Sequence, residues 1–184
     1  MDLTSFSHGQ IQSKLWLCDL LEPHVPDNSP VVIHGAWYNV LGFMLMTRNP
    51  NKYQSITGID IDPSVRDIAN NICQAWMIHP TATMNNVTQD SNLFNHNGYT
   101  TVINCSVEHM ESTQWFDNIP KGTTVCLQSS NVNDPGEVWK ITNPNTTFDM
   151  FIEKYPLSKY YFSGKKEIEY TTGGYTRYMI IGLK

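Results

Sequence analysis

The chain has 184 residues, 40% of them hydrophobic and 16% charged, with a formal net charge of −5. That length suffices for one domain with a substantial apolar core. Net acidity disfavours a protein that grips a nucleic-acid backbone, a task that calls for a basic face.

No apolar run reaches the roughly 20 residues of a membrane-spanning helix. The opening "MDLTSFSHGQIQSK" lacks the basic and apolar regions of a signal peptide. The cysteines, Cys18, Cys73, Cys105 and Cys126, form no CxxC pair. They read as reduced residues of a cytoplasmic protein without a metal centre.

In chain order, "GQIQSKLWLCDLLEP" carries Ile11, Leu15, Cys18 and Leu20/Leu21 at helical spacing, and Pro23 ends it. The stretch "VVIHGAWYNVLGFML" starts as a buried strand, Val31 to His34, and turns at Gly35. It continues as a helix from about Ala36 to Thr47. "QSITGID" is a second apolar strand. "DPSVRDIANNICQAWMI" is a helix with Pro63 in its first turn and Val65, Ile68, Ile72, Ala75 and Trp76 on one face. Further strands are predicted over Thr83 to Gln89, in "YTTVINC" and in "GTTVCLQS", with a short helix in "STQWFDN". A helix near Thr146 to Tyr155 precedes "LSKYYFSG" and "YTRYMIIGL", two strands joined by a polar segment. Alternating strands and helices imply a mostly parallel sheet covered on both faces, and the tail reads as an antiparallel hairpin.

Several motifs are excluded. There is no GxxxxGK[ST], no GxSxG, no HExxH, and "HGAWYN" lacks the glycines of a GxGxxG dehydrogenase turn.

The loop "GAWY", the acidic "DIDP", the stretch "NCSVEHM" and the tail "PLSKYYFSG…TRYMIIG" resemble the class I S-adenosylmethionine-dependent methyltransferases. Within that superfamily they resemble small methyltransferase-like proteins of phages and bacteria. The resemblance implies one Rossmann-like α/β domain over 1–184, with a seven-stranded sheet and an antiparallel last strand. Residues 1–29 would cover the site. It also implies S-adenosyl-L-methionine as cofactor. Gly35, Ala36, Trp37, Tyr38 and Asn39 would form the cofactor loop, whose usual pattern is acid-x-Gly-x-Gly-x-Gly. Here Ile33 stands at the acid, Trp37 at the second glycine and Asn39 at the third. Asn tolerates a left-handed backbone and can make the third turn.

Asp60, followed by Ile61, ends the second strand, where an acid can accept both ribose hydroxyls; helix capping is the other reading, and Asp62 is the better cap. Gln89 and Asp90 end the third strand, where the acid would accept from the adenine amino group or simply form a turn. Asn104, Cys105 and Ser106 follow the fourth strand on the cofactor side. His109 is the candidate general base, with Glu108 orienting it or holding a substrate amine. Otherwise Glu108 caps the following helix and His109 packs on the cofactor. Gln128, Ser129 and Asn131 lie beyond the fifth strand, facing substrate. Arg177 meets either an anionic group or a nearby carboxylate.

"NCSVEHM" lacks the Pro-Pro-aromatic pattern of enzymes that methylate exocyclic amines of DNA bases. The acceptor is left as a small molecule, a peptide or a nucleobase, with Trp16 and Trp139 near the cover. A partner subunit, as in a homodimer, could complete that cover. Another reaction on the same cofactor, cleavage or aminocarboxypropyl transfer, and a non-catalytic binding module stay open as alternatives.

Overall fold

A computed structural model describes residues 3–74, 83–133, 141–171 and 173–184. Ala75, Trp76 and Trp139 lie outside them. No helix among the described residues is long and apolar enough to cross a membrane.

The chain order is α1 (His8–Leu21), β1 (Ser29–His34), α2 (Val40–Arg48), β2 (Tyr53–Asp60), α3 (Pro63–Gln74), β3 (Thr83–Thr88), β4 (Thr101–Asn104), α4 (Gln114–Asp117), β5 (Thr124–Ser130), α5 (Phe148–Lys154), β6 (Lys159–Tyr170) and β7 (Gly173–Leu183). The seven strands form one sheet in the order β3-β2-β1-β4-β5-β7-β6. β1 runs parallel to β2 and β4, whereas β7 runs antiparallel to both β5 and β6. The strand order reverses between β1 and β4, so the crevice at their carboxyl ends is where an open α/β sheet takes a ligand.

Alternation along each strand divides the core between the two faces. Val31 and Ile33 join Ile103, Cys126, Met179 and Ile181 under α1 and α2. Val32, Val102, Val125, Leu127 and Ile180 pack under Trp115, Phe116, Phe151 and Tyr155 on the other face. Each fully buried aliphatic side chain stabilises the fold by about 1.5–3 kcal/mol.

Three expectations are corrected. α2 begins at Val40, not near Ala36, because Gly35, Trp37 and Asn39 all adopt positive φ and no helix can pass through them. The buried face of α1 holds Gly9, Ser13, Leu17 and the expected Cys18 and Leu21, while Ile11 packs half-buried on the cluster of Tyr38, Val40 and Val65 and Leu15 is half-buried. Gln128 Nε2 donates to the Ser13 carbonyl at 3.0 Å, and the Tyr170 and Tyr175 hydroxyls fill the space where a Cβ on Gly9 would lie. These close polar contacts, which hydrophobic spacing does not register, set the helix rotation. The polar tail segment is not a linker: β6 and β7 run through it to a turn near Thr171, alternating outward charges with inward residues such as Ile168.

Candidate functional site

A cleft of about 820 Å³ opens at the carboxyl ends of the central strands. Its walls come from the loop after β1, the ends of β2 and β3, the turn after β4, and the N-terminal segment.

The loop after β1 is held in a shape that its side chains do not suggest. Gly35, Trp37 and Asn39 take φ values of +57°, +50° and +53°. The three positions where the resembled family carries glycines are thus all left-handed here, two of them without glycine. The Ala36 amide donates to the Ile59 carbonyl at 2.9 Å, and the Trp37 amide donates to Asp60 Oδ2 at 2.8 Å. Asn39 is fully buried, and its Nδ2 donates to Asn86 Oδ1 at 2.9 Å. Gly58 makes room for it, since a Cβ there would lie 2.7 Å from Asn39 Nδ2. At Gly35 the left-handed φ is what favours glycine, since a Cβ would meet only the flexible end of Met110, with Cε at 2.9 Å.

Asp60 stands at the centre of this wall. Oδ2 accepts from Trp37 and Oδ1 from the Asp62 amide at 3.0 Å. A carboxylate offers about four acceptor sites, so each oxygen keeps capacity for a ligand hydroxyl. Asp62 takes the cap, accepting from the Ser64 amide at 2.8 Å. Ile61 is 70% exposed and presents an apolar wall beside Asp60. Asp90 accepts from the Asn92 amide at 2.8 Å, the turn arrangement, and also lines the cleft with Ser91 and Asn92.

Gly35, Ala36, Trp37, Tyr38, Asp60, Ile61, Asp90, Cys105, Ser106 and His109 all border the cleft. Asn39 and Asn104 support it from beneath: Asn104 Oδ1 accepts from the Ser106 amide at 2.8 Å and shapes the turn after β4. Gln89 reaches the Leu93 carbonyl at 3.3 Å and is not among the lining residues.

The acceptor side departs from expectation. Glu108, expected to act beside His109, is 3% exposed and pairs with Arg177 at 2.9 Å, with Ser130 Oγ donating at 3.3 Å. Arg177 also donates to the Cys105 carbonyl. Of the two readings for Arg177, the carboxylate partner is the one found. Gln128 and Ser129, expected to face substrate, are fully buried: Gln128 holds α1, and Ser129 Oγ accepts from Asn145 Nδ2 at 2.8 Å. Asn131 exchanges hydrogen bonds with Thr176 on β7. None of these five residues is among the described residues lining the cleft.

Two features escaped the sequence reading. Lys14 projects from α1 into the cleft, donating to Gln10 Oε1 at 2.5 Å, and burial lowers its pKa to about 8. Behind the cleft, His34 and His96 are both buried, with their Nε2 atoms 2.9 Å apart beside Phe94 and Trp115. Burial, and secondarily the His96 ring, push the His34 pKa down to about 3. Neither has a motif; a lone Lys in a helix and two His 62 residues apart carry no spacing signal. Among the described residues no cluster of metal-ligating side chains occurs.

No protein-family model and no curated protein sequence matches the chain. Solved structures do. The N-methyltransferase NodS from Bradyrhizobium japonicum WM9 superposes with a TM-score of 0.66 at 11% identity, over 95% of this chain and 97% of that one. Magnesium protoporphyrin IX methyltransferase from Synechocystis PCC 6803, with S-adenosylhomocysteine bound, gives 0.67 at 12% identity over 95% and 83%. TrmK of M. capricolum, also with S-adenosylhomocysteine, gives 0.56 at 12% identity over 89% and 66%. With its β3-β2-β1-β4-β5-β7-β6 sheet, the chain has the class I S-adenosylmethionine-dependent methyltransferase fold.

Proposed function

We propose that the chain is an S-adenosylmethionine-dependent methyltransferase. The observation that carries this reading is the left-handed backbone at residues 35, 37 and 39, locked to Asp60 at the mouth of one cleft. Such a loop lets backbone approach a ligand closely, and the carboxylate beside it retains acceptor sites for two adjacent hydroxyls. Proteins of the same fold include a methyltransferase with S-adenosylhomocysteine bound and TrmK in complex with the same cofactor product, which supports the assignment.

The residues present fit the cofactor. Asp60 would hold the ribose, Ile61 would pack against the adenine, and Asp90 would accept from its amino group. When bound, the cofactor supplies a methyl group already activated on a sulfonium. Trp37 and Tyr38 would present aromatic faces towards positive charge. His109 would take the proton from an acceptor that carries one. Binding both partners in one cleft aligns them, which replaces a bimolecular encounter. A volume of about 820 Å³ lies within the range of ligand sites of roughly 300–1,000 Å³ and suits a cofactor with a small molecule, a side chain or a single base. A cytoplasmic location agrees with four free, buried cysteines.

Incubation with S-adenosylmethionine separates this proposal from cleavage chemistry. The cofactor should survive with the protein alone and yield S-adenosylhomocysteine only when an acceptor is supplied. Breakdown without an acceptor would refute methyl transfer as the primary reaction.

A further inference from the structure

The loop after β1 is tied to two other elements by a row of side-chain amides. Asn39 Nδ2 donates to Asn86 Oδ1 on β3 at 2.9 Å. Asn86 Nδ2 donates in turn to Asn70 Oδ1 on α3 at 3.0 Å and to Cys73 Sγ at 3.4 Å. Donor follows acceptor along the row, so each bond polarises the next. The row passes over β2, which lies between β1 and β3, at Gly58, the register partner of Asn86. A Cβ on Gly58 would lie 2.7 Å from Asn39 Nδ2 and 2.8 Å from Asn86 Oδ1, and a Cβ on Gly42 in α2 would collide with Asn39 Oδ1. Two glycines thus frame one fully buried carboxamide.

The left-handed turn alone does not call for this arrangement. Glycine would adopt the φ of +53° at position 39 without a side chain to accommodate. The asparagine adds an anchor. It joins the loop to β3, which leads into Asp90, and to α3, which begins just after Asp60 and Asp62. We propose that Asn39, Asn86 and Asn70 are positioning residues for the cofactor, a relay that locks the loop after β1 in place relative to Asp60 and Asp90, although none of the three lines the cleft. The inference rests on the S-adenosylmethionine reading of that cleft. A loop already held in its binding shape spares the ligand the cost of ordering it.

The test joins calorimetry of S-adenosylhomocysteine to amide hydrogen exchange on the ligand-free protein, with circular dichroism confirming that each variant is folded. Asn86→Ala and Asn39→Gly should each weaken binding by about five- to tenfold, the reach of one or two hydrogen bonds. The double variant should lose no more than about twofold beyond the weaker single one, because both cut the same relay. Asn70→Ala, one bond further out, should cost about two- to threefold. Asn85→Ala, an exposed neighbour on β3, should leave affinity unchanged. Exchange at the Ala36 and Trp37 amides should quicken in Asn86→Ala while the amides of β4 and β5 keep their protection. Wild-type affinity in Asn86→Ala or Asn39→Gly, losses that add in the double variant, or unchanged exchange at Ala36 and Trp37 would overturn the relay and leave the cofactor reading intact. Should Asn39→Gly fail to fold, Asn86→Ala decides through the same affinity and exchange. Failure of the wild type to bind S-adenosylhomocysteine would overturn the cofactor reading and the relay with it.

Discussion

Trp37 is a large aromatic residue in a backbone conformation that normally belongs to glycine, with φ of +50°. Left-handed geometry costs a non-glycine residue about 1–2 kcal/mol, a cost that recurs where structure is held for function. Here the tie is the amide of Trp37, which donates to Asp60, while the indole packs 5.3 Å from the Tyr38 ring. Replacing Trp37 by Gly and by Ala removes the same indole and keeps the same amide, so the two variants differ only in backbone preference. Glycine ordinarily loses to alanine by roughly 0.5–1 kcal/mol through its freedom in the unfolded chain. Offset against the relieved strain, Trp37→Gly should be more stable than Trp37→Ala by about 0.5–1 kcal/mol. In a chain of this size that is a shift of about 1–4 °C in Tm. Urea and thermal unfolding of the pair measure it. Trp37→Ala equal to or more stable than Trp37→Gly would refute the claim that position 37 is intrinsically left-handed.

Other consequences are as direct. Glu108→Gln or Arg177→Met, each leaving one buried charge alone, should destabilise the fold by about 3–5 kcal/mol, and the double replacement should recover much of that; additive losses in equilibrium unfolding would contradict the pairing. His34 titrates near 3 in the fold against 6.5 in the open chain, so the unfolded state takes up its proton first. Stability is therefore complete above pH 6.5 and falls as pH drops towards 3, by up to about 1.4 kcal/mol per pH unit from this group. His34→Gln should flatten that slope in urea titrations across pH, and an unchanged slope would exclude the His34–His96 pair as its source. Lys14, facing Cys105, Cys18 and Arg177, titrates near 8 without ligand. Affinity for a carboxylate-bearing probe should fall about fivefold over the first pH unit above that value and steepen towards tenfold per unit beyond it. Lys14→Arg should remove the dependence, and a wild-type affinity constant to pH 9.5 would contradict it.

The backbone plan was legible because it rests on periodicity and punctuation. "VVIHG" and "SITGID" are short apolar runs ended by Gly or Asp, and Pro63 marks the start of α3. Asp60 and Asp90 were legible as positions, since the carboxyl ends of the strands flanking the switch point face the ligand crevice in this topology. Direction was not legible. Glu108 and Arg177 are 69 residues apart, and only the pairing of β5 with β7 brings them together. Gln128 and Ser129 were expected beyond the fifth strand, but β5 runs on to Ser130 and pairs both with β7, while α1 and the segment around Asn145 cover their side chains. The rotation of α1, and with it the entry of Lys14 into the cleft, was decided by Gly9 and Ser13, residues to which a hydrophobic pattern assigns no face.

The central claim is that Asp60 holds the ribose of an adenosyl cofactor. Calorimetric titration of S-adenosylhomocysteine into the wild type and into Asp60→Ala and Asp60→Asn tests it most directly, with circular dichroism confirming that each variant is folded. Asn keeps an acceptor for the Trp37 or Asp62 amide, so it separates loss of the loop from loss of the charge. Saturable binding to the wild type is expected, weakened by about 30- to 100-fold in both variants, the equivalent of one or two hydrogen bonds to a charged group. Affinity unchanged in a folded Asp60→Ala protein, or no binding to the wild type at millimolar ligand, would contradict the account.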